Sequence, residues 1–181
     1  ETVNSYEVGY KGSLLDRRLN VAVAGFRMDY RDVQIPGSSG CTVNGIATFC
    51  GVITNAGKAR FQGVEFESNA RLADSLLAAD DRLTLSTAIG YIDAKYLQYV
   101  TQIAGRGPVD VAAYRKVQNT PKWTVNGTLG YTTPMGAGDL NLSTSLSYRS
   151  KTYQFEIPNP YLDQSAVTLW DANLVYTAPN N

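Results

Sequence analysis

Apolar and polar residues alternate with a period of two along most of this chain, and a helical period is nearly absent. Leu140, Leu142, Thr144, Leu146 and Tyr148 fall on one side of the alternation, against Asn141, Ser143, Ser145, Ser147 and Arg149. Leu83, Leu85, Thr87, Ile89 and Tyr91 repeat the arrangement against Thr84, Ser86, Ala88 and Gly90. Ala22, Ala24, Phe26, Met28 and Tyr30 read as a third apolar row, opposite Val21, Val23, Gly25, Arg27 and Asp29. Trp170, Ala172, Leu174 and Tyr176 face away from Asp171, Asn173 and Val175. The pattern predicts seven strands, at 3–11, 19–33, 57–72, 82–97, 121–132, 139–150 and 166–177.

The connections alternate in length. Those at 12–18, 73–81 and 133–138 are short, whereas 35–56, 98–120 and 151–165 are long and carry most of the Pro and Gly clusters. Short turns at one end and long loops at the other are the mark of an outer-membrane barrel, with the turns on the periplasmic side. Three strands then run inward and finish at Tyr10, Tyr131 and Tyr176, while three run outward and reach Tyr30, Tyr91 and Tyr148. These six tyrosines are expected to form aromatic girdles at the two interfaces. The polar row Gly63, Glu65, Glu67, Asn69 and Arg71, with Asp171 and Asn173 near the end, is expected to face the lumen of a wide barrel.

Composition narrows the chemistry. Among 181 residues the basic and acidic side chains balance at 16 each, so nothing pulls on nucleic acid. Histidine is absent, which removes the commonest general base and metal ligand. No run approaches the ~18 apolar residues of a membrane helix, but a barrel strand needs only ~9 to 11, with every second one apolar. Cys41 and Cys50 lie in a Gly/Ser/Thr-rich stretch, where a disulfide closing a short loop would fit an oxidising compartment. Two unrelated thiols is the other reading. A metal site is disfavoured, because no histidine joins them and their spacing is not that of zinc ligands.

Four stretches give the chain a family likeness. They are Val3-Asn4-Ser5-Tyr6-Glu7-Val8-Gly9-Tyr10-Lys11; Phe26-Arg27-Met28-Asp29-Tyr30-Arg31-Asp32-Val33-Gln34 with Arg18-Leu19-Asn20 before it; Asn55-Ala56-Gly57-Lys58-Ala59 leading to Gly63-Val64-Glu65-Phe66-Glu67; and Gln118-Asn119-Thr120-Pro121-Lys122-Trp123. In order, spacing and strand position the sequence resembles the TonB-dependent receptors of the bacterial outer membrane. The resemblance implies an all-β fold: an antiparallel up-and-down segment of a plugged transmembrane barrel of about 22 strands. Residues 1–181 would be part of that barrel domain, with the plug and the last two strands outside them. It further implies uptake of a scarce nutrient (siderophore-, cobalamin- or carbohydrate-like), with outer-membrane lipid, the plug and TonB as partners.

No nucleophile–base pair or metal constellation can be assembled, so no enzyme, cofactor or metal is expected. Glu65 and Glu67 share one strand face, and a lumen row explains them better than a paired-carboxylate site; Glu65 is expected to meet a cross-strand cation or the plug. Gly105-Arg106-Gly107-Pro108 is too short for a phosphate loop and reads as a loop tip. In the long loops Tyr99, Arg106, Tyr114, Arg115 and Phe155 are candidate ligand contacts, because rigid scaffolds place binding residues on loops. Tyr96 and Tyr153 are candidates too, or members of the outer girdle. The alternative function is a secreted or surface β-sandwich binding module, which needs similar turns at both ends and no lipid-facing band.

Overall fold

A computed structural model describes residues 1–103 and 105–179, without the side chains at 35–40, 49, 52, 54 and 56. The strands are β1 (Thr2–Leu14), β2 (Leu19–Val43), β3 (Ile46–Asp74), β4 (Arg82–Ile103), β5 (Gly107–Asp110), β6 (Trp123–Met135), β7 (Gly138–Arg149) and β8 (Val167–Thr177), with one 3-10 turn at Ala112–Tyr114. All pairings are antiparallel, in the order β1-β2-β3-β4-β6-β7-β8, with β5 paired to the outer end of β4. β1 and β8 are the sheet's two edges, so the sheet is open. The period-two segments thus become neighbours in chain order, as an up-and-down topology requires.

Register places the described side chains of the paired strands on two faces. The row Tyr10–Val23–Phe66–Ile89–Val125–Tyr148–Thr168 runs across the whole sheet on one side. The row Gly9–Ala24–Glu65–Gly90–Thr124–Arg149–Val167 runs across the other. Tyr10, Tyr91, Tyr131, Tyr148 and Tyr176 share the first, largely apolar face. Glu65, Glu67, Asn69, Arg71, Asp171 and Asn173 share the second. Little is buried within the sheet itself; Val8, Leu146, Trp170 and Leu174 lie exposed on the apolar face.

Two expectations are corrected here. Tyr30 lies on the polar face, because it pairs with Val3 and Ala59, and its ring meets Phe61 edge-on at 5.3 Å. The whole row Ala22–Tyr30 goes with it, and Val21 and Val23 are the apolar-face residues of β2. Arg27 and Asp29 make that second row look polar in sequence, but they stand beyond the apolar zone. Small Ala22 and Ala24 are what fit beside Glu67 and Glu65.

The expected loop at 35–56 is instead a continuation of β2 and β3 into a two-stranded arm. Pairing persists from Gln34↔Asn55 to Val43↔Ile46, after a bulge that leaves Asp32 unpaired with φ of 55°. Asn44 and Gly45 close the arm with φ of 52° and 81°, the signature of a type I′ turn. The Cys41 and Cys50 sulfurs are bonded across it, with Cα atoms 5.8 Å apart.

The short turn after β3 has its own anchor. Asp81 is buried and accepts hydrogen bonds from the N–H groups of Leu76 (2.6 Å), Leu77 (2.7 Å) and Ala78 (2.9 Å), and from the Tyr131 hydroxyl at 2.6 Å. Burial raises its pKa, but the Tyr131 bond and then the backbone bonds outweigh that and hold the carboxyl below the usual carboxylate range. A depressed pKa contributes stability above the unfolded value and loses it as pH falls. Asp81→Asn is therefore expected to speed amide exchange of Leu76, Leu77 and Ala78 by roughly tenfold at neutral pH. The gap from wild type should shrink as pH drops below the ordinary value of 3.8. Hydrogen exchange resolved by residue checks both.

Candidate functional site at the long-loop end

The chain between β4 and β6 folds back on the chain between β7 and β8. Lys116 N–H donates to the Glu156 carbonyl at 2.8 Å, and Asn119 N–H to the Tyr153 carbonyl at 2.9 Å. A Thr152↔Gln164 bridge closes the second loop on itself. Within it the Lys151 ammonium stands 3.2 Å from the Asp163 carboxylate, whose side chain is only 3 % exposed. Such a pair resists removal of one partner, since a lone buried charge would remain. At the base of the first loop, Asp110 accepts from the N–H groups of Tyr99 and Ala112, each at 3.0 Å. These two bonds, Tyr99's first, hold its carboxyl below the usual range.

Between these loops and the outer ends of β4 and β6 lies an open cleft of about 440 Å³. Its charged and aromatic lining is Lys116, Lys122, Lys151, Asp93, Trp123 and Tyr153. The Tyr153 ring is flanked by two ammonium groups, Lys151 at 4.9 Å and Lys116 at 6.0 Å from its centroid. Lys122 stands 5.6 Å over Tyr91, whose ring packs on Trp123 at 4.7 Å. Cations over aromatic faces form a surface suited to an anionic group attached to a flat one.

The five loop residues singled out from sequence do not meet in one place. Arg115 covers Tyr99 at 5.1 Å, and Tyr99 is 6 % exposed, so it supports the loop and is no free contact. Tyr96 packs on Tyr99 edge-on at 5.1 Å, from the polar face. Arg106 sits in the turn between β4 and β5, where its N–H donates to the Ile103 carbonyl. Tyr114 and Phe155 are exposed at 78 % and 49 %. Lys116, Lys122 and Lys151 were missed because lysines scattered over two loops carry no spacing signal; only the pairing of those loops gathers them.

On the polar face, Glu65 is flanked in its row by Ala24 and Gly90, with no ion-pair partner among the described residues. The cross-strand cation expected for it is absent there. Small neighbours instead leave an open groove of about 410 Å³ lined by Glu7, Lys11, Glu65 and Glu67 among others.

Comparison with known proteins agrees with this architecture. No curated protein matches the chain. Among solved structures, it is similar to the crystal structure of BauA, the ferric preacinetobactin receptor from Acinetobacter baumannii, with a TM-score of 0.64 and 19% identity. That match covers 97% of this chain and 22% of the receptor. The sequence matches the family described as TonB dependent receptor-like, beta-barrel, over residues 1–181. The chain belongs to the TonB-dependent receptor-like β-barrel family.

Proposed function

We propose that this chain is part of an outer-membrane transporter that binds a scarce nutrient at its long-loop end and imports it with energy coupled through TonB. The observation that carries the reading is the level of the aromatics on the apolar face. Strands about 4.8 Å apart and tilted ~40° change depth by ~3 Å per strand crossed along a row, and by ~5 Å per two residues along a strand. One sense of tilt brings Tyr10, Tyr131 and Tyr176 to within roughly 3 Å of a common level. The same tilt brings Tyr91, Trp123 and Tyr148 to a second level, roughly 17 Å above the first, on the scale of a barrel's ~25 Å apolar band. Without tilt the agreement disappears, since Tyr10 and Tyr148 share a single hydrogen-bonding row. A β-sandwich gives no reason for two such levels.

The polar face then lines the lumen, where Glu65 and its clear surroundings accept a side chain of the plug. The cleft ringed by Lys116, Lys122 and Lys151 favours an anionic ligand. A ferric siderophore is the preferred class, in keeping with the receptor to which the fold is similar, ahead of cobalamin and carbohydrate. Trp123 reports on the cleft. Titrating the intact receptor in detergent with ferric siderophores, cobalamin and oligosaccharides is expected to quench tryptophan emission for one anionic iron chelate. Lys116→Gln should weaken that ligand by roughly tenfold, and Lys122→Gln, whose ammonium stands over Tyr91 on the apolar face, by less. A receptor that purifies from the soluble fraction as a monodisperse protein without detergent would overturn the transporter reading and favour the sandwich module.

A further inference from the structure

The arm formed by β2 and β3 leaves one long edge uncovered. β3 pairs with β4 only as far as Gly57↔Tyr99. Beyond that pair β4 leaves β3 and is held by the β5 loop. Tyr99 N–H donates to Asp110 Oδ1, Val111 N–H donates to the Tyr99 carbonyl, and Val100–Ile103 pair with β5. From Ala56 back to Ile46, β3 therefore has β2 on one side and no strand on the other among the described residues. A charge, a proline, a bulge or a cover is what normally keeps such an edge from pairing with foreign strands. None is present on this one. Residues 34–57 contain no Asp, Glu, Lys or Arg. Ile46 to Asn55 contain no proline, and their pairing to β2 runs without a bulge. The same stretch is rich in strand-forming residues: Ile46, Thr48, Phe49, Val52, Ile53 and Thr54. Ile46 and Ile53, on opposite faces of the arm, are both 70 % exposed. The other edge of the arm holds Pro36, a residue that blunts pairing. An uncharged hairpin rich in Gly and Ser is prone to slip in register, and the Cys41–Cys50 bond holds it in one alignment.

We infer that the Ile46–Ala56 edge of the arm binds an extended, uncharged segment of another protein, which adds to the sheet as a further strand. Main-chain hydrogen bonds supply the affinity in this mode, and the side chains of alternate residues supply the selectivity. The lack of charge over 34–57 disfavours a charged segment, which would lose hydration and gain no ion partner. It also sets the edge apart from the lysine-lined cleft. A second copy of the chain does not fit. A two-fold axis along the arm sets identical strands parallel with their inward N–H groups at one level, whereas a parallel ladder needs them offset. An axis across the arm restores an antiparallel ladder but points the two sheets in opposite directions. The shared membrane of the transporter reading forbids that.

The test uses the full-length receptor in detergent and a fluorescein-labelled peptide of alternating valine and threonine, followed by anisotropy and residue-resolved hydrogen exchange. In the free receptor alternate amides between Ile46 and Asn55 are expected to exchange rapidly, and the peptide to slow them at least tenfold. Binding should be the same at low and high salt, unlike capture of an anion by the cleft lysines. The double variant Thr48→Lys, Ile53→Lys puts one charge on each face of the edge and should weaken the peptide at least tenfold. Exchange of the amides that face β2 shows whether the arm is intact in that variant. Absence of protection by the peptide overturns the inference, and so does equal binding of a peptide with proline at every second position, since no ladder then forms. Slow exchange of every amide from Ile46 to Asn55 in the free receptor also overturns it, because the receptor's own chain then covers the edge. Self-association of the receptor that the double variant abolishes does the same, because a second copy then holds it.

Discussion

Leu146→Arg is expected to destabilise the folded receptor in bilayers by about 2–4 kcal/mol, the cost of an arginine near the membrane midplane on the lipid side of a barrel. The neighbouring Ser147→Arg should change stability by no more than ~0.5 kcal/mol, because the polar face, if it lines the lumen as proposed, tolerates charge. The two residues are adjacent in β7 but belong to opposite faces: Leu146 pairs with Gly127 and Trp170, Ser147 with Asn126 and Leu169. Reversible unfolding in urea with the receptor in lipid vesicles measures both. A soluble two-sided sheet would show no such asymmetry of solvent, and comparable costs at the two positions would remove the membrane from the account.

The second large effect concerns the contact between β3 and β4 below the cleft. At Gly63 an added Cβ would run into the backbone carbonyl of Tyr91, and would stand 2.9 Å from the Phe26 ring. The aromatic ring can move, but the carbonyl cannot move without displacing β4 and the Tyr91–Trp123 pair. Gly63→Ala is therefore expected to cost about 1–3 kcal/mol, as overpacking does, and to shift the Trp123 emission. Gly127→Ala is the control, since a Cβ there meets nothing within 4 Å. It should be neutral or stabilise by up to ~1 kcal/mol, through a less flexible unfolded chain. Unfolding midpoints with emission spectra of the two variants decide this.

How much of this was legible beforehand depended on whether a signal was local. The strand segments were, because alternation is a property of neighbouring residues: β7 and β8 match their predicted spans within a residue or so. The Asn44-Gly45 turn was also written locally, between Val43 and Ile46, and its type I′ geometry explains why the arm continues where composition suggested a loop. The facing of β2 was not. Both of its rows are partly apolar, and only pairing with Val64 and Phe66 on one side and Glu65 and Glu67 on the other separates them.

The candidate site was less legible than the fold for the same reason. Exposed aromatic and basic loop residues can be counted in a sequence, but their convergence depends on hydrogen bonds between loops far apart in the chain. Those bonds cover Tyr99 with Arg115 and bring Lys116 and Lys151 to either side of Tyr153. Asp81 is a similar case: an ordinary turn aspartate until Tyr131, from another strand, reaches it.

The sequence by itself determined the seven strands that pair side by side, their up-and-down order and the short and long ends, which rest on residue spacing along one strand or one turn, and the family, which rests on the order of four stretches; the β2–β3 arm and β5 lay outside it. Only the tertiary structure decided which row of β2 lies on the apolar face and which loop residues share a cleft. Each of these depends on register between strands. A shift of one residue would exchange the two faces, and no period within a single strand fixes that choice.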